Sequence, residues 1–342
     1  MTVGKQLSGS AVEGKSLREI TFGGQPGVTA GPGSDIVSDP VPLDFDAWEP
    51  LSLSIFVPGL AALPTEHFNG NATSFYSPPG SGDLTTDASG APLALSTTSV
   101  PLASGLDVLA PDSASTLVAF GDSITDGYGA GDILGVPNPL GFPQAAEAID
   151  ADARYPDFLQ RRIDEKGLPI SVANAGVSGN RVIASGFIPQ FADSMVARLQ
   201  NDVLDVPSVT DVVILGGVND LGFPIGASFE QLTAGYMNLI DRLHTAGIAV
   251  HLGTIPPASN AMLDGILTLP PANPVRLRVN EWIRTQTMAD SVADFDAALR
   301  DSVNPDVMTP PFAGSDNLHP SAAGYEKMAA AVDLTRLKGS TC

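Results

Sequence analysis

The chain has 342 residues, of which 43% are hydrophobic, and this is enough to bury a sizeable core. It carries 38 acidic residues against 17 basic ones, for a formal net charge of −21. Such a surface repels phosphate backbones and anionic lipid headgroups, which argues against nucleic acid as a partner. No run of about 18 apolar residues occurs, so no membrane span is predicted.

Two features bear on the compartment. The single cysteine, Cys342, excludes an internal disulfide and a cysteine-based metal site. The segment Met1 to Leu7 contains Lys5 and no apolar run, so no signal peptide is predicted. Localisation stays open, with a secreted or periplasmic protein whose leader is absent from this chain as the preferred interpretation. The acidic composition fits both an enzyme for a neutral small molecule and a saline habitat, and the oligomeric state is unknown.

Residues 1–113 are rich in glycine, proline, serine and threonine, and they predict a small antiparallel β domain. Apolar and polar residues alternate over 51–55, the pattern of a half-buried strand. Turn-forming residues cluster at 23–27 and 77–83. Short strands of this kind fit a sandwich or a partial jelly roll. Carbohydrate binding, shielding of an active-site rim and dimerisation are alternative roles for this domain, and a packing role is our default.

From residue 114 to residue 342, short buried strands alternate with segments of helical periodicity. The predicted strands are 116–120, 211–215, 248–252 and 291–295. The predicted helices are 155–163, 229–243, 275–287 and 321–334. This alternation indicates a mostly parallel sheet with helices on both faces. Functional groups in such sheets gather at the carboxyl ends of the strands, where the segments 121–123 and 216–220 fall.

Ser123 follows the first buried strand, in the segment Gly121-Asp122-Ser123. A tight turn here would expose the hydroxyl at the top of the sheet, where an adjacent base can activate it as a nucleophile. The alternative is an ordinary strand-to-helix turn in which Asp122 or Ser123 caps a helix. The chain contains no G-x-S-x-G sequence, which argues against the elbow of an α/β-hydrolase.

His319 is the candidate base among the four histidines, because it lies close to an acidic residue in a loop before the last helix. Asp316, three residues earlier, can fold back onto one imidazole nitrogen and leave the other facing the serine. The alternative is a helix-entry loop with Pro320 at the first helical position. The other histidines are interpreted as surface or core residues without a catalytic role: His67, His244 and His251.

Two glycine-containing turns are candidates for stabilising the oxyanion that forms during acyl transfer. The segment 174–181 offers Gly179, where the backbone can approach a substrate closely, and the segment 217–220 offers the side-chain amide of Asn219. Each turn by itself is more typical of an ordinary loop. The appearance of both turns in one chain with Ser123 and His319 favours a site for acyl transfer.

Together these segments resemble the SGNH subgroup of GDSL-type hydrolases. The resemblance rests on four short blocks, which occur in family order: Gly121-Asp122-Ser123, Gly179 in the Ser-Gly-Asn turn, Gly217-x-Asn219-Asp220 and Asp316-x-x-His319-Pro320. It extends over about residues 114–335, and each block is weak alone. Ile124 stands where the family name places leucine, a variation without chemical consequence.

The resemblance implies a three-layer α/β/α sandwich around a mostly parallel sheet, preceded here by the antiparallel β domain. It implies that Ser123 is the nucleophile, His319 the base and Asp316 the orienting carboxylate. The implied oxyanion hole has three donors: the backbone N–H groups of Ser123 and Gly179 and the side chain of Asn219. Asp122 and Asp220 are implied to support the loops. No metal or organic cofactor is implied.

We expect a serine carboxylic ester hydrolase acting on a small-molecule ester with a short acyl chain, from acetyl to hexanoyl. The reason is that nothing long and apolar suggests an interfacial lipase lid. Four apolar residues within 258–269 are candidates for an acyl pocket, although a packed surface loop is the interpretation we prefer: Met262, Leu263, Ile266 and Leu269. Alternatives of the same chemistry are a carbohydrate O-acetylesterase and a thioesterase or lysophospholipase. A degenerate, non-enzymatic binding module is disfavoured because every required group is present.

Overall fold

The computed structural model describes residues 1–31, 33–59, 66–67, 69–127, 132–133, 136–137, 149–186, 192–222, 225–263, 267–268 and 272–341. These residues belong to two compact units. The first lies within Met1–Phe68, Ala72–Ala103 and Asp132–Pro137, and the second within Asn69–Asn71, Ser104–Gly131 and Asn138–Cys342. A domain boundary between residues 113 and 114 stays a prediction. No helix in the described ranges is long and apolar enough to cross a membrane.

The first unit contains short antiparallel strands, as predicted. In chain order they are β1 (Thr2–Ser8), β2 (Ala11–Val12), β3 (Arg18–Glu19), β4 (Leu51–Ser54), β5 (Glu66–His67), β6 (Ser74–Tyr76), β7 (Leu95–Thr97) and β8 (Val100–Pro101). β1 pairs with β2, β3 and β4, whereas β5 pairs with β8 and β6 with β7. The described strands thus form one four-stranded sheet and two two-stranded ribbons, and the sandwich or partial jelly roll stays a prediction.

The remaining elements follow in chain order. The strands are β9 (Ser115–Gly121), β10 (Asp132–Ile133), β11 (Val136–Pro137), β12 (Ile170–Gly176), β13 (Val209–Leu215), β14 (Ala249–Gly253), β15 (Met262–Leu263), β16 (Leu267–Thr268) and β17 (Ser291–Ala293). The helices are α1 (Ser123–Asp126), α2 (Tyr155–Glu165), α3 (Met195–Leu199), α4 (Val218–Leu221), α5 (Phe229–Thr245), α6 (Asn273–Thr285), α7 (Phe295–Leu299) and α8 (Ala322–Ala331). A π-helical segment, Gln200–Leu204, continues α3.

A five-stranded parallel sheet forms the centre of the second unit, in the order β12-β9-β13-β14-β17. Its middle strands are buried on both faces, which explains their continuous apolar runs. The pairing register places Gly121 beside Gly176 and Leu215, at the carboxyl ends of the three neighbouring strands β9, β12 and β13. The loops that leave these ends therefore start at one level, along one edge of the sheet.

Helices cover this sheet in a three-layer α/β/α arrangement, so the predicted fold class is confirmed. α2 packs against α8, and α5 packs against α6 and α3. α5 begins at a capping box in which Ser228 and Gln231 satisfy each other's backbone N–H groups. It then buries residues at helical spacing, including Leu232, Tyr236 and Leu239.

The predicted helices and strands of the second unit are present, with shifted ends. The predicted strand 291–295 is too long, because Asp294 accepts a hydrogen bond from the Ala297 N–H and starts α7 at Phe295. The predicted helix 321–334 ends earlier, at Ala331, and a single 3-10 turn, Leu334–Arg336, follows it. These corrections change no residue of the candidate site.

Candidate active site

Ser123 lies at the point where β9 ends and α1 begins. Asp122 has an extended backbone, and its Oδ1 accepts a hydrogen bond from the Ile124 N–H at 2.9 Å, which caps the helix. α1 ends after one turn at Gly127, whose φ of 80° is left-handed. Both interpretations of this segment are therefore compatible: Asp122 caps a helix, and Ser123 occupies its first position at the edge of the sheet.

The three side chains predicted to form a catalytic relay lie in hydrogen-bond contact. The Ser123 Oγ is 2.7 Å from the His319 Nε2, and the His319 Nδ1 is 2.6 Å from the Asp316 Oδ2. An ionised carboxylate only accepts hydrogen bonds, so the Nδ1 of His319 carries the hydrogen in this pair. A neutral imidazole in that tautomer presents Nε2 as an acceptor to the serine hydroxyl. Ser123 and His319 are both largely shielded from solvent.

Asp316 is fixed by its own loop. Its Oδ1 accepts hydrogen bonds from the N–H groups of Leu318 at 3.0 Å and His319 at 2.9 Å, while Oδ2 faces the imidazole. Burial opposes ionisation of Asp316, but the hydrogen bond and charge of His319 together with the two backbone donors outweigh it and lower the pKa to about 2. The carboxylate is therefore ionised at neutral pH.

The turn after β12 brings the Gly179 N–H to the same edge. Gly179 has a φ of 77°, a left-handed conformation that glycine adopts without strain. Close packing also requires Gly176, because a Cβ there would collide with the backbone of Asp126 in α1. In the part of the chain that the structure describes, the N–H groups of Ser123 and Gly179 donate no hydrogen bond. Both N–H groups therefore have the capacity to bind a ligand oxygen.

Asn219 lies in α4, directly after the carboxyl end of β13. Its Nδ2 donates a hydrogen bond to the Asn180 backbone oxygen at 2.9 Å, which orients the amide with its NH₂ group toward the turn that contains Gly179. Its own backbone oxygen accepts a hydrogen bond from the Arg181 Nε at 3.2 Å. Nδ2 carries a second hydrogen, which an oxyanion can accept.

Asp220 connects the two turns that carry these donors. Its carboxylate accepts hydrogen bonds from the backbone N–H groups of Val182 at 2.9 Å and Ile183 at 3.0 Å. Burial is the main influence on Asp220 and raises its pKa, against the lowering effect of these two donors. Asp220 thus holds α4 against the segment that follows Gly179, the supporting geometry expected of it.

Asp122 is buried like Asp220 but its carboxylate has fewer donors. Its Oδ1 caps α1, but its Oδ2 has no hydrogen-bond partner among the described residues. Burial raises the pKa of Asp122 to about 7, although the Ile124 N–H and the charge of His319 both act to lower it. Asp122 therefore destabilises the folded state at any pH at which it is ionised.

We predict that Asp122→Asn stabilises the fold at alkaline pH. The folded-state pKa of about 7 lies above the unfolded value of about 3.9, so the Asp122 contribution to stability falls as pH rises from about 4 to about 7. The full cost above pH 7 is on the order of 4 kcal/mol. Urea unfolding at several pH values should show a gain for the variant near pH 8 that shrinks toward zero near pH 4. A gain that is the same at every pH would contradict this origin.

Asp126, which the sequence analysis did not select, also supports the site. Its Oδ2 accepts hydrogen bonds from the Ser178 Oγ at 2.6 Å and the Ser178 N–H at 3.1 Å. A further link runs from the Asn174 Nδ2 to the Thr125 oxygen at 2.9 Å. These contacts tie α1 to the turn before Gly179. Their partners are far apart in the chain, and no local pattern signals them.

The remaining histidines lie outside this cluster. His251 is fully buried, with its Nε2 3.0 Å from the Asp211 Oδ1 and its Nδ1 2.7 Å from the Ser291 Oγ. This second Ser–His–Asp set lies within the strands, before their carboxyl ends, and Asp211 also accepts hydrogen bonds from the backbone N–H groups of residues 338 and 339. His244 is paired with Asp290 at 2.9 Å, and His67 lies in β5 of the first unit.

Two further expectations concern the acyl pocket and metal binding. Ile266 and Leu269 of the predicted acyl-pocket segment lie outside the described residues, and β15 gives Met262 and Leu263 a backbone position only. Within the described ranges, no group of three or more His, Cys, Asp or Glu side chains is arranged to hold a metal ion.

Comparison with known proteins shows the family to which the sequence belongs. The sequence matches the GDSL-like Lipase/Acylhydrolase family over residues 119–327, more than half of the chain. Among curated proteins there is no sequence match. The chain therefore belongs to the GDSL-like lipase/acylhydrolase family of hydrolases, and its second unit has the α/β fold of that family.

Solved structures resemble about two thirds of the chain. They include the aryl esterase of M. smegmatis, at 16% identity and a TM-score of 0.48, with 64% of this chain and 96% of that chain covered. A carbohydrate acetylesterase from Sinorhizobium meliloti has 14% identity and a TM-score of 0.45, covering 64% and 95%. A lipase/acylhydrolase from Enterococcus faecalis has 25% identity and a TM-score of 0.41, covering 64% and 92%.

Proposed function

We propose that this hydrolase is a serine carboxylic ester hydrolase that forms an acyl-enzyme on Ser123. The observation that carries the proposal is the continuous chain of contacts from Asp316 through His319 to Ser123, at 2.6 and 2.7 Å. These distances lie within the range over which a general base activates a serine hydroxyl. The low pKa of Asp316 supports its role as a permanently charged partner of the imidazole.

In the first half of the proposed reaction, the Ser123 Oγ attacks the ester carbonyl carbon while its proton passes to the His319 Nε2. The tetrahedral oxyanion accepts hydrogen bonds from the N–H groups of Ser123 and Gly179 and from the Asn219 Nδ2. As the intermediate collapses, the bond to the alcohol oxygen breaks and His319 gives its proton to that oxygen. The alcohol leaves and the acyl group remains on Ser123.

In the second half, water takes the place of the alcohol. His319 accepts a proton from the water as it attacks the acyl carbon, and the same three donors stabilise the second oxyanion. Collapse returns the proton to the Ser123 Oγ and releases the carboxylic acid. Asp316 stays ionised throughout and stabilises the imidazolium that forms in each half. Each step uses groups of this chain and water.

We propose short acyl chains, from acetyl to hexanoyl, as the preferred substrates. The sequence has no long apolar segment of the kind that forms an interfacial lid. The net charge of −21 also disfavours anionic lipid surfaces as the place of action. A neutral, water-soluble ester fits both features.

A panel of p-nitrophenyl esters with acyl chains from two to sixteen carbons tests this proposal. We expect kcat/KM to be highest between two and six carbons, and a maximum at twelve carbons or more would refute the short-chain preference. Release of acetate from acetylated xylan or pectin, measured beside the panel, should not exceed hydrolysis of the short aryl esters. A large excess of acetate release would instead identify a carbohydrate O-acetylesterase.

A further inference from the structure

Arg198, on α3, has a buried guanidinium group next to the candidate site. Its side chain is 6% exposed, and its Cζ lies 4.3 Å from the centre of the Phe120 ring in β9. Taking a guanidinium out of water is costly unless its hydrogens find acceptors. The hydrogen-bond acceptors of Arg198 therefore indicate the structural role of its buried guanidinium.

Three of these acceptors lie in the segments that carry the proposed oxyanion donors. The Arg198 Nη2 donates to the Gly121 oxygen at 2.7 Å, and Nη1 donates to the Ala175 oxygen at 2.9 Å. Nε donates to the Asn180 Oδ1 at 3.0 Å. The fourth acceptor, the Asp202 Oδ2 at 2.5 Å, lies one helical turn further along and balances the charge.

Two of these contacts lie close to a proposed donor in the chain. Gly121 is two residues before Ser123, and Asn180 directly follows Gly179. The Asn180 backbone oxygen in turn accepts the hydrogen bond that orients Asn219. One rigid, planar group is thus bonded directly to the segments that carry the Ser123 and Gly179 donors, and it is linked to Asn219 through Asn180.

We propose that Arg198 is a positioning residue for the oxyanion hole, acting directly on these two segments and, through Asn180, on Asn219. This inference rests on the proposed function, because it concerns the donors of the same site. The fixed fork geometry of a guanidinium sets the distances among its acceptors, which a lysine ammonium cannot do. Loss of that geometry lets the donors drift apart, and a misplacement of about 1 Å is enough to cost about 10²-fold in rate.

Arg198→Lys is the main test, because it keeps the charge and most of the packing. We expect kcat to fall by about 10- to 100-fold, with KM changed by less than about 3-fold, since donors aimed at the oxyanion act on the transition state. A matched control, Arg162→Lys, should keep kcat within about 2-fold. It alters another guanidinium that donates to backbone oxygens, those of Ala329 and Val332 at the end of α8.

A double-mutant cycle with Asn219→Ala separates positioning from general damage. Asn219→Ala alone should lower kcat by about 10²-fold or more, as loss of one oxyanion donor does. If Arg198 acts through the oxyanion hole, the double variant should lose much less than the product of the two single losses. If the two losses in kcat multiply in the double variant, the inference is overturned. An unchanged kcat in a folded Arg198→Lys variant would overturn it as well.

Two further measurements keep the test decisive. If Arg198→Lys does not fold, judged by thermal unfolding, Asn180→Ala removes one contact of Arg198 and leaves the backbone oxygen for Asn219. It should lower kcat by about 10-fold, and a wild-type kcat would overturn the inference. Ser123→Ala is assayed in parallel. Full activity in that variant refutes the proposed function itself, whereas an essential Ser123 with an unaffected Arg198→Lys variant refutes only the positioning role.

Discussion

Replacing Ser123 with alanine is expected to lower kcat by about 10⁴-fold or more, with little change in stability. The Ser123 Oγ is the only atom removed, and its hydrogen bond to the His319 Nε2 contributes about 1 kcal/mol to folding. The hydroxyl supplies the attacking atom of the proposed reaction, so the remaining donors act on an uncatalysed attack by water. Hydrolysis of p-nitrophenyl acetate, with thermal unfolding measured in parallel, checks both parts of this expectation.

The chain supplies a matched control in Ser291. Its Oγ is 2.7 Å from the Nδ1 of a histidine that is paired with an aspartate, so the local contacts resemble those of Ser123. His251 is fully buried, however, and the glycine turns that carry the proposed oxyanion donors lie at the carboxyl edge of the sheet. Ser291→Ala should keep wild-type kcat. A fluorophosphonate should modify Ser123 in the wild type and nothing in Ser123→Ala, and loss of activity in Ser291→Ala alone would contradict the assignment.

The elements that the sequence predicts well are those whose pattern arises from burial alone. β9 and β13 are buried on both faces and read as apolar runs, and α5 shows a helical stripe between clear capping residues. β12 was missed because polar residues interrupt it. Asn174 is one of them, and its amide is satisfied by the Thr125 oxygen of α1, a tertiary contact that no local pattern reveals.

The residues of the candidate site also differ in whether the local sequence predicts them. Short local motifs in the sequence indicate Ser123, Asp316 and His319. Asp316, for example, lies three positions before His319 and can fold back onto it within one loop. No local sequence motif indicates a role for Arg198. It lies in a five-residue helix between two motif blocks, and three of its acceptors are carbonyl and amide oxygens from two separate segments. Only the fold brings them together, so sequence reasoning finds the reacting groups more readily than the groups that position them.

Asp316→Asn is expected to lower kcat by about 10⁴-fold while the loop keeps its shape. The asparagine oxygen can still accept the N–H groups of Leu318 and His319, so the backbone of the turn stays satisfied. Its NH₂ group, however, then faces the Nδ1 of His319 and requires that nitrogen to accept. The hydrogen moves to Nε2, which can no longer take the proton of Ser123. The measurement is kcat for a short aryl ester near pH 8.

Asp301 provides the control for this substitution and stability provides a second readout. The Asp301 Oδ1 accepts the N–H groups of Val303 and Asn304 at 2.9 Å, the same turn geometry without a histidine, so Asp301→Asn should keep wild-type kcat.

Asp316 has a folded-state pKa of about 2, below the unfolded value of about 3.9, so it stabilises the fold above pH 4 and this contribution is lost as pH falls toward 2. Asp316→Asn should therefore cost about 2–3 kcal/mol of unfolding free energy at neutral pH, and the difference should vanish near pH 2. An active Asp316→Asn variant would show that His319 keeps its tautomer without the carboxylate, and the proposed relay would then reduce to Ser123 and His319.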